Sequence, residues 1–348
     1  MRNNNIKIGW AVAETSLDIP AYRRRVGYYL KKRGIQWEIA ENQKQYDLVI
    51  VHHSADITVW KDYDKAKIVL DYNDDYLSGP RRGFRDLARG LAKYVVRQWA
   101  RLELDYRKAY TNMMRRANAI VCCTDAQEAE AKKYCSNVHK IMDFQSDDDW
   151  MEKKAYNSGS TFNIVWEGLP AFEGLVKLSP VLRSFQDKNN SALHLITSLK
   201  HERYLRKYGL VHVMDVVRKK VHVNRVFLYE WNKYLFSHIV ASCDLAIIPI
   251  DMNIPFWVYK PANKLLFFWR IGMPTLVDPT PEYVKAMNEC GLDMVCHSAD
   301  EWMENLNKYS LDSAARQKAG IQGKLFVDQI YSEAKLLERW DKVIDSIL

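Results

Sequence analysis

Three short segments between residues 243 and 277 decide how this sequence folds. Residues 243–249 read CDLAIIP, residues 260–266 read KPANKLL, and residues 272–277 read GMPTLV. The first and third are apolar runs of strand length, and the middle segment has the polar start and apolar continuation of a helix. The stretch therefore predicts a strand, a helix and a second strand of a parallel α/β sheet.

The same alternation of strands and helices runs along the whole chain. Apolar runs predict strands in the first half at 6–12, 37–40, 48–51, 68–70, 119–122 and 138–142, and in the second half at 162–166, 193–197, 226–229, 244–249, 274–277 and 294–296. A polar stretch at 145–160 reads as a linker, and two helices finish the chain at about 313–329 and 332–347. We therefore expect two Rossmann-like, doubly wound α/β domains that face a central cleft, with domains at 1–155 and 156–330.

Composition excludes several classes of protein. The chain has 348 residues, of which 48% are hydrophobic and 27% charged, which is typical of a folded protein and not of a disordered one. No apolar run reaches the roughly 18 residues of a membrane-spanning helix, and no signal peptide is visible. We therefore expect a cytoplasmic protein. The six cysteines show no spacing typical of zinc ligands and are expected to be reduced thiols.

Basic residues are concentrated in one segment. Residues 81–116 contain eleven Lys or Arg and three acidic residues, which equals the formal charge of +8 of the whole chain. Apolar residues at steps of three and four predict one long helix from Arg85 to Arg116, with a break at Gly90 as an alternative. Its apolar stripe either docks on the sheet or enters a membrane surface. The basic residues form either a solvated face or a peripheral contact with anionic membrane at the inner face, and they lack the stacking pattern of a nucleic-acid site.

The order of motifs in the second half resembles one enzyme family. After a predicted strand come WEGLP (166–170), then CDLAIIP, KPANKLL and GMPTLV. This order is similar to the donor-binding half of GT-B glycosyltransferases, in particular the large retaining family four. The match runs from residue 162 to the C-terminus, while the first half matches only in its order of elements and in YDLVIV and KIVLD. The family's two glutamates, eight positions apart, fall here at Tyr259 and Phe267, neither of which is a carboxylate.

The resemblance implies a fold, a reaction and its partners. The C-terminal helix, residues 331–348, is expected to cross back onto the N-terminal domain. The activity implied is transfer of a sugar from a nucleotide sugar to a glycan or lipid-linked acceptor, as in polysaccharide biosynthesis. Enzymes of this type need no cofactor and usually no metal, so the nucleotide sugar is a substrate and no metal site is expected.

The expected donor site lies in the second half. Lys260, Asn263 and Lys264 stand where a loop becomes a helix, and helix N-termini and lysines bind phosphate. Gly168 would let a phosphate approach the backbone closely, and Glu282 could bind sugar hydroxyls. The alternatives are a solvated basic turn, an ordinary turn glycine and a glutamate that favours a helix start.

The expected catalytic residues lie in the first half, at the ends of neighbouring strands. Asp71 and Asp74 follow the predicted strand 68–70, and His53 follows the strand 48–51. A carboxylate or imidazole there could act as a base towards an acceptor hydroxyl. Capping and turn formation is the alternative for the aspartates, and a structural role for the histidine.

Two other functions compete with this interpretation. The missing glutamates favour a catalytically inactive, glycosyltransferase-like binding module. The run DDD at 147–149 suggests a metal-dependent GT-A transferase, but it lies in the predicted linker and the two-domain layout argues against it.

Overall fold

A computed structural model describes residues 6–13, 19–74, 77, 84–144, 150–202 and 210–348. The chain forms two compact units. Unit 1 comprises Met1–Phe144, Tyr259–Pro261 and Tyr331–Leu348, and unit 2 comprises Gln145–Val258 and Ala262–Ile330. The run DDD at 147–149 lies outside the described residues.

Unit 1 is built on a parallel sheet of six strands in the order β2-β1-β3-β4-β5-β6. Its strands are β1 (Ile8–Ala11), β2 (Trp37–Ile39), β3 (Leu48–His52), β4 (Lys67–Asp71), β5 (Ala119–Cys122) and β6 (Val138–Lys140). Its helices are α1 (Pro20–Arg23), α2 (Val26–Arg33), α3 (Ile57–Trp60), α4 (Phe84–Val95), α5 (Tyr106–Arg116), α6 (Asp125–Ala131) and, at the end of the chain, α15 (Glu333–Asp345).

Both faces of the unit 1 sheet are buried, as expected for parallel strands. Along β3, Leu48 and Ile50 face one hydrophobic cluster, while Val49 and Val51 face another on the opposite side. Helix α15 covers the Leu48 side together with α2, and Trp340 lies 5.8 Å from Tyr29 in a stacked arrangement. The C-terminal helix is therefore part of the core of unit 1.

Unit 2 contains a parallel five-stranded sheet in the order β11-β8-β7-β12-β13 and a separate two-stranded antiparallel ribbon, β9-β10. Its strands are β7 (Phe162–Glu167), β8 (Ser191–Thr197), β9 (Lys200–Glu202), β10 (Leu210–His212), β11 (Val226–Glu230), β12 (Leu245–Ile248) and β13 (Thr275–Val277). Its helices are α7 (Glu173–Lys188), α8 (Val213–Lys220), α9 (Phe236–Ser242), α10 (Pro255–Val258), α11 (Asn263–Ile271), α12 (Pro281–Cys290), α13 (Ala299–Leu311) and α14 (Ser313–Ile330).

The stretch 243–277 forms β12, α11 and β13, which confirms the predicted unit. Gly272 ends α11 with φ +83°, a conformation that glycine adopts without strain, so the chain can turn directly into β13. The structure confirms the predicted strands except the one at 294–296, where only Val295 bridges to Val277. The ribbon β9-β10 was not predicted.

The single long helix predicted from Arg85 to Arg116 is wrong. Helix α4 ends at Val95 and α5 begins at Tyr106. The alternative break at Gly90 is also wrong, because Gly90 is helical; a Cβ there would clash with the backbone oxygen of Glu103. Its lack of a side chain thus lets the connecting segment pack against α4.

The predicted apolar stripe is only half buried. Its C-terminal members Trp99, Tyr106, Tyr110 and Met113 lie in the core, whereas Leu91, Val95 and Leu102 are exposed by 46%, 68% and 49%. In the described part of the chain, no helix combines the length and the apolar character needed to cross a membrane.

Candidate functional site

Gly168 lies where the strand order of the unit 2 sheet reverses. In doubly wound sheets, ligands bind outside the carboxyl ends of the strands where the strand order reverses. In unit 2 the order reverses between β7 and β12. Glu167 is the last residue of β7, so Gly168 leaves the sheet at this point.

Lys264 reaches Gly168 from the first turn of α11. Its Nζ donates a hydrogen bond of 2.5 Å to the backbone oxygen of Glu167 and lies 3.7 Å from the Glu167 carboxylate. The same Nζ lies 5.4 Å from the ring centroid of Trp166. A Cβ at residue 168 would be only 2.8 Å from this ammonium group, so the glycine leaves room for it. The structure thus brings together two of the five predicted donor residues, and adds Glu167 and Trp166.

The start of α12 belongs to the same neighbourhood. Thr280 caps this helix, because its hydroxyl accepts a hydrogen bond of 3.3 Å from the backbone N–H of Tyr283. Burial raises the pKa of Tyr283, and the carboxylates of Glu167 and Asp278 act in the same direction. Glu282 is half-buried in the first turn of this helix.

The loop before α11 differs from the sequence prediction. Lys260 and Pro261 precede the helix, which begins at Asn263 with Ala262 as its N-cap. Pro261 is therefore not in the first helical turn, and Lys260 does not share a helical side with Lys264. Asn263 is the first residue of the helix, where backbone N–H groups lack intrahelical partners.

The two positions that align with the family's glutamates do not offer carboxylates. Phe267 is 2% exposed and stacks on Phe236 with ring centroids 4.4 Å apart. The ring centroid of Trp150 lies 5.4 Å from that of Phe267. Position 267 is therefore part of an aromatic cluster, and Tyr259 carries a phenol instead of an acid.

Asp71 is a buried ion-pair partner. Its carboxylate, with no exposed surface, accepts hydrogen bonds of 3.0 and 3.2 Å from Arg25 Nε and of 2.6 Å from Arg25 Nη2. Arg25 Nη1 also contacts the Asp143 carboxylate at 3.0 Å and Cys123 Sγ at 2.9 Å. Burial raises the pKa of Asp143, although the guanidinium of Arg25 opposes this shift. The sequence did not reveal this cluster, since its members lie far apart along the chain.

His53 and Asp74 form a second pair in unit 1, in which the His53 side chain is buried and the Asp74 side chain is exposed. His53 follows β3 directly, and the strand order of this unit reverses between β1 and β3. His53 Nε2 lies 3.3 Å from an oxygen of Asp74, whose side chain is 43% exposed. The backbone N–H of His53 donates a 2.9 Å hydrogen bond to the backbone oxygen of Asp71, and the backbone oxygen of His53 accepts a 2.9 Å hydrogen bond from the Tyr110 hydroxyl. These hydrogen bonds fix the backbone of His53, and the carboxylate of Asp74 remains exposed to solvent.

His52 has a structural environment. Its ring is 2% exposed and its Nδ1 lies 2.7 Å from the Ser54 hydroxyl. Burial lowers the pKa of His52 well below its usual value, and the neighbouring His53 and Arg25 act in the same direction. The ring is therefore neutral near neutral pH.

Several solved structures similar to this chain are glycosyltransferases. The glycosyltransferase from Rickettsia africae ESF-5 matches 99% of this chain and 99% of its own with a TM-score of 0.62 at 11% identity. TarM matches 91% of this chain with a TM-score of 0.59 at 10% identity, and the pneumococcal O-GlcNAc transferase GtfA, solved with UDP and GlcNAc, matches 92% with a TM-score of 0.54 at 12% identity. The chain has the GT-B fold.

The likeness extends to part of the larger enzymes only. The chain spans 57% of the length of TarM and 59% of that of GtfA. Neither a family model nor the sequence of a curated protein matches the chain. Among the described residues, no three His, Cys, Asp or Glu side chains cluster in a way that would hold a metal ion.

Proposed function

We propose that this chain is a GT-B glycosyltransferase, similar to the retaining family four. It transfers a sugar from a nucleotide-activated donor to a hydroxyl group of a glycan or lipid-linked acceptor. The observation that carries the proposal is the contact of Lys264 with the Glu167–Gly168 backbone, at the point where the strand order of a GT-B sheet reverses. Since GtfA was solved with UDP and GlcNAc, a UDP-sugar is the first donor to test.

Lys264 is assigned to the phosphates of the donor. During transfer the bond from the sugar to the diphosphate breaks, and the leaving group takes the bonding electrons. Preorganised positive charge stabilises this developing negative charge. The ammonium group of Lys264 donates to the backbone oxygen of Glu167, next to Gly168. If a phosphate oxygen were bound there, the ammonium group would donate to the phosphate in place of the backbone oxygen. Asn263 and Glu282, at two helix starts of unit 2, complete the proposed donor site.

His53 and Asp74 are assigned to the acceptor. The acceptor hydroxyl forms the new bond to the sugar and loses its proton, which an imidazole can accept. Asp74, at 3.3 Å, would stabilise the imidazolium that results. Asp71 serves this pair through its backbone oxygen, which holds the His53 N–H, while its carboxylate holds Arg25. No metal is part of the proposal, and we expect chelation with EDTA to leave transfer unchanged.

The test compares two lysines of unit 2 that differ in position but not in exposure. The Lys264 side chain is 29% exposed and that of Lys324 is 27% exposed, and each has acidic neighbours. We expect Lys264→Ala to weaken UDP-sugar binding by about 10- to 100-fold, the range for a hydrogen bond to a charged group, measured by calorimetry. Lys324→Ala should bind the donor like the wild type, and equal loss in both variants would overturn the assignment.

The second candidate function is a catalytically inactive binding module with the same fold. The aromatic cluster at Phe267 favours it, because the position that binds ribose in the family cannot do so here. A donor that binds the folded state raises the melting temperature by mass action. If no UDP-, GDP-, CMP- or dTDP-sugar shifts the melting temperature, the binding module becomes the better interpretation.

A further inference from the structure

The residues 91–104 form an unusual surface, which we call the apolar knuckle. It consists of the end of α4 and the segment that leads to α5. Of the seventeen large hydrophobic side chains that are exposed in the described part of the chain, six lie in these fourteen residues. They are Leu91 (46%), Tyr94 (43%), Val95 (68%), Val96 (47%), Leu102 (49%) and Leu104 (52%).

The knuckle is a built feature. Trp99, 2% exposed, stacks on Tyr106 with ring centroids 5.6 Å apart, and Lys93 Nζ lies 5.3 Å from the Trp99 ring centroid. The backbone N–H of Ala100 donates a 2.6 Å hydrogen bond to the Asp56 carboxylate. Because these contacts fix the backbone of the segment, its aliphatic side chains are exposed as part of the folded structure.

The exposed side chains are contiguous. Leu91, Tyr94 and Val95 are three and four residues apart and so share one side of α4. Gly90 brings the backbone of residues 103 and 104 against the same helix, next to the turn that carries Leu91. Leu102 and Leu104 therefore lie beside the apolar side of α4.

Basic residues outnumber acidic ones in and next to the knuckle. Arg97 and Arg101 are exposed within it, and Arg101 pairs with Asp62. Directly after Leu104, the start of α5 lines a cavity of about 480 Å³. Its walls carry four cationic side chains, Arg107, Lys108, Arg115 and Lys133, and two acidic ones, Asp105 and Glu130, of which Glu130 pairs with Lys133. An aliphatic surface with an excess of cations beside it is complementary to the boundary between acidic headgroups and acyl chains.

We propose that the apolar knuckle docks this protein on an anionic membrane surface, with Val95 and Val96 entering the acyl boundary and Arg97 facing the headgroups. A second copy of the chain would bring like charges together. A nucleic acid would engage the arginines but leave the aliphatic side chains in water. The membrane alone satisfies both parts of the surface.

The experiment measures co-sedimentation of the full chain with vesicles of phosphatidylcholine, with and without phosphatidylglycerol. We expect binding only to the acidic vesicles, and weaker binding as salt rises. Val95→Ser combined with Val96→Ser should weaken this binding about tenfold or more, because two aliphatic side chains no longer leave water. Arg97→Gln should weaken it about fivefold, the contribution of one basic residue near an acidic leaflet.

The matched control is Leu311→Ser, since Leu311 is 85% exposed but lies in unit 2, outside the knuckle. Its binding should equal that of the wild type. Equal binding to neutral vesicles, no effect of the double serine variant, or an equal loss in Leu311→Ser would overturn the proposal. So would a dimer that the serine variant dissociates, or binding of a single-stranded oligonucleotide in place of vesicles. The assay contains no donor sugar, so its outcome is independent of the proposed transfer activity.

Discussion

Replacing Asp71 by Asn tests whether this residue acts in the chemistry or in the fold. The change removes the negative charge that accepts three hydrogen bonds from Arg25, and both side chains have no exposed surface. Breaking a buried ion pair from one side costs about 3–5 kcal/mol. Because Asp143 remains 3.0 Å from Arg25, we expect the lower end, about 3 kcal/mol. For a unit of this size, the corresponding fall in melting temperature is roughly 6–12 °C.

The control is Asp74→Asn, a chemically identical change three residues later. The Asp74 side chain is 43% exposed, so its loss should change the free energy of unfolding by less than about 0.5 kcal/mol. Circular dichroism during heating and in urea gives the stability of both variants, and a transfer assay gives their activity. We expect Asp71→Asn to lose stability and Asp74→Asn to lose activity at unchanged stability. The reasoning is refuted if Asp71→Asn melts with the wild type, or if Asp74→Asn is destabilised as much.

Two further predictions concern position 267 and the buried histidine. Phe267→Glu restores the residue type of the family but places a carboxylate against Phe236 and Trp150, so it should destabilise unit 2 by about 3 kcal/mol or more in a thermal melt and not improve donor affinity; tighter donor binding would contradict this. Because burial lowers the pKa of His52, this side chain binds a proton near pH 6.5 in the unfolded chain but not in the folded chain. As the pH is lowered from about 6.5, the free energy of unfolding should therefore decrease by up to about 1.4 kcal/mol per pH unit. In urea titrations, His52→Gln should reduce this slope, whereas replacement of the exposed His297 should leave it unchanged.

The strands could be predicted because their signal is local. The central strands of the two parallel sheets are short apolar runs between turn residues, and burial on both faces makes such runs stand out. The prediction of a single helix from Arg85 to Arg116 was wrong because the end of that helix depends on contacts with distant residues. Steps of three and four show that Leu91, Val95 and Trp99 could share a side, but not which of them finds a partner. Of these three side chains, Trp99 alone is buried, and it stacks on Tyr106.

The site could be predicted in part. The position after a strand correctly suggested that His53 and Gly168 leave the sheet at its carboxyl edge, and that is a property of the local sequence. Which side chain then stays accessible depends on distant residues. Arg25, 46 positions before Asp71, draws that carboxylate into the core, while Asp74 remains at the surface. No pattern around residue 71 contains this information.

Topology and motif make separate contributions to a binding site in this fold. The reversal of strand order fixes where backbone and helix starts converge, at Gly168 in unit 2 and at His53 in unit 1. The family's glutamates are an addition to that frame, and of the two positions that align with them only 267 lies in α11. In this chain, the corresponding side chain of α11 packs on Phe236 instead. A sequence can therefore lack the family's carboxylate on α11 and keep the backbone frame around it. For this reason Lys264 and His53, which stand where the two strand orders reverse, are more informative targets for testing the proposal than residue 267.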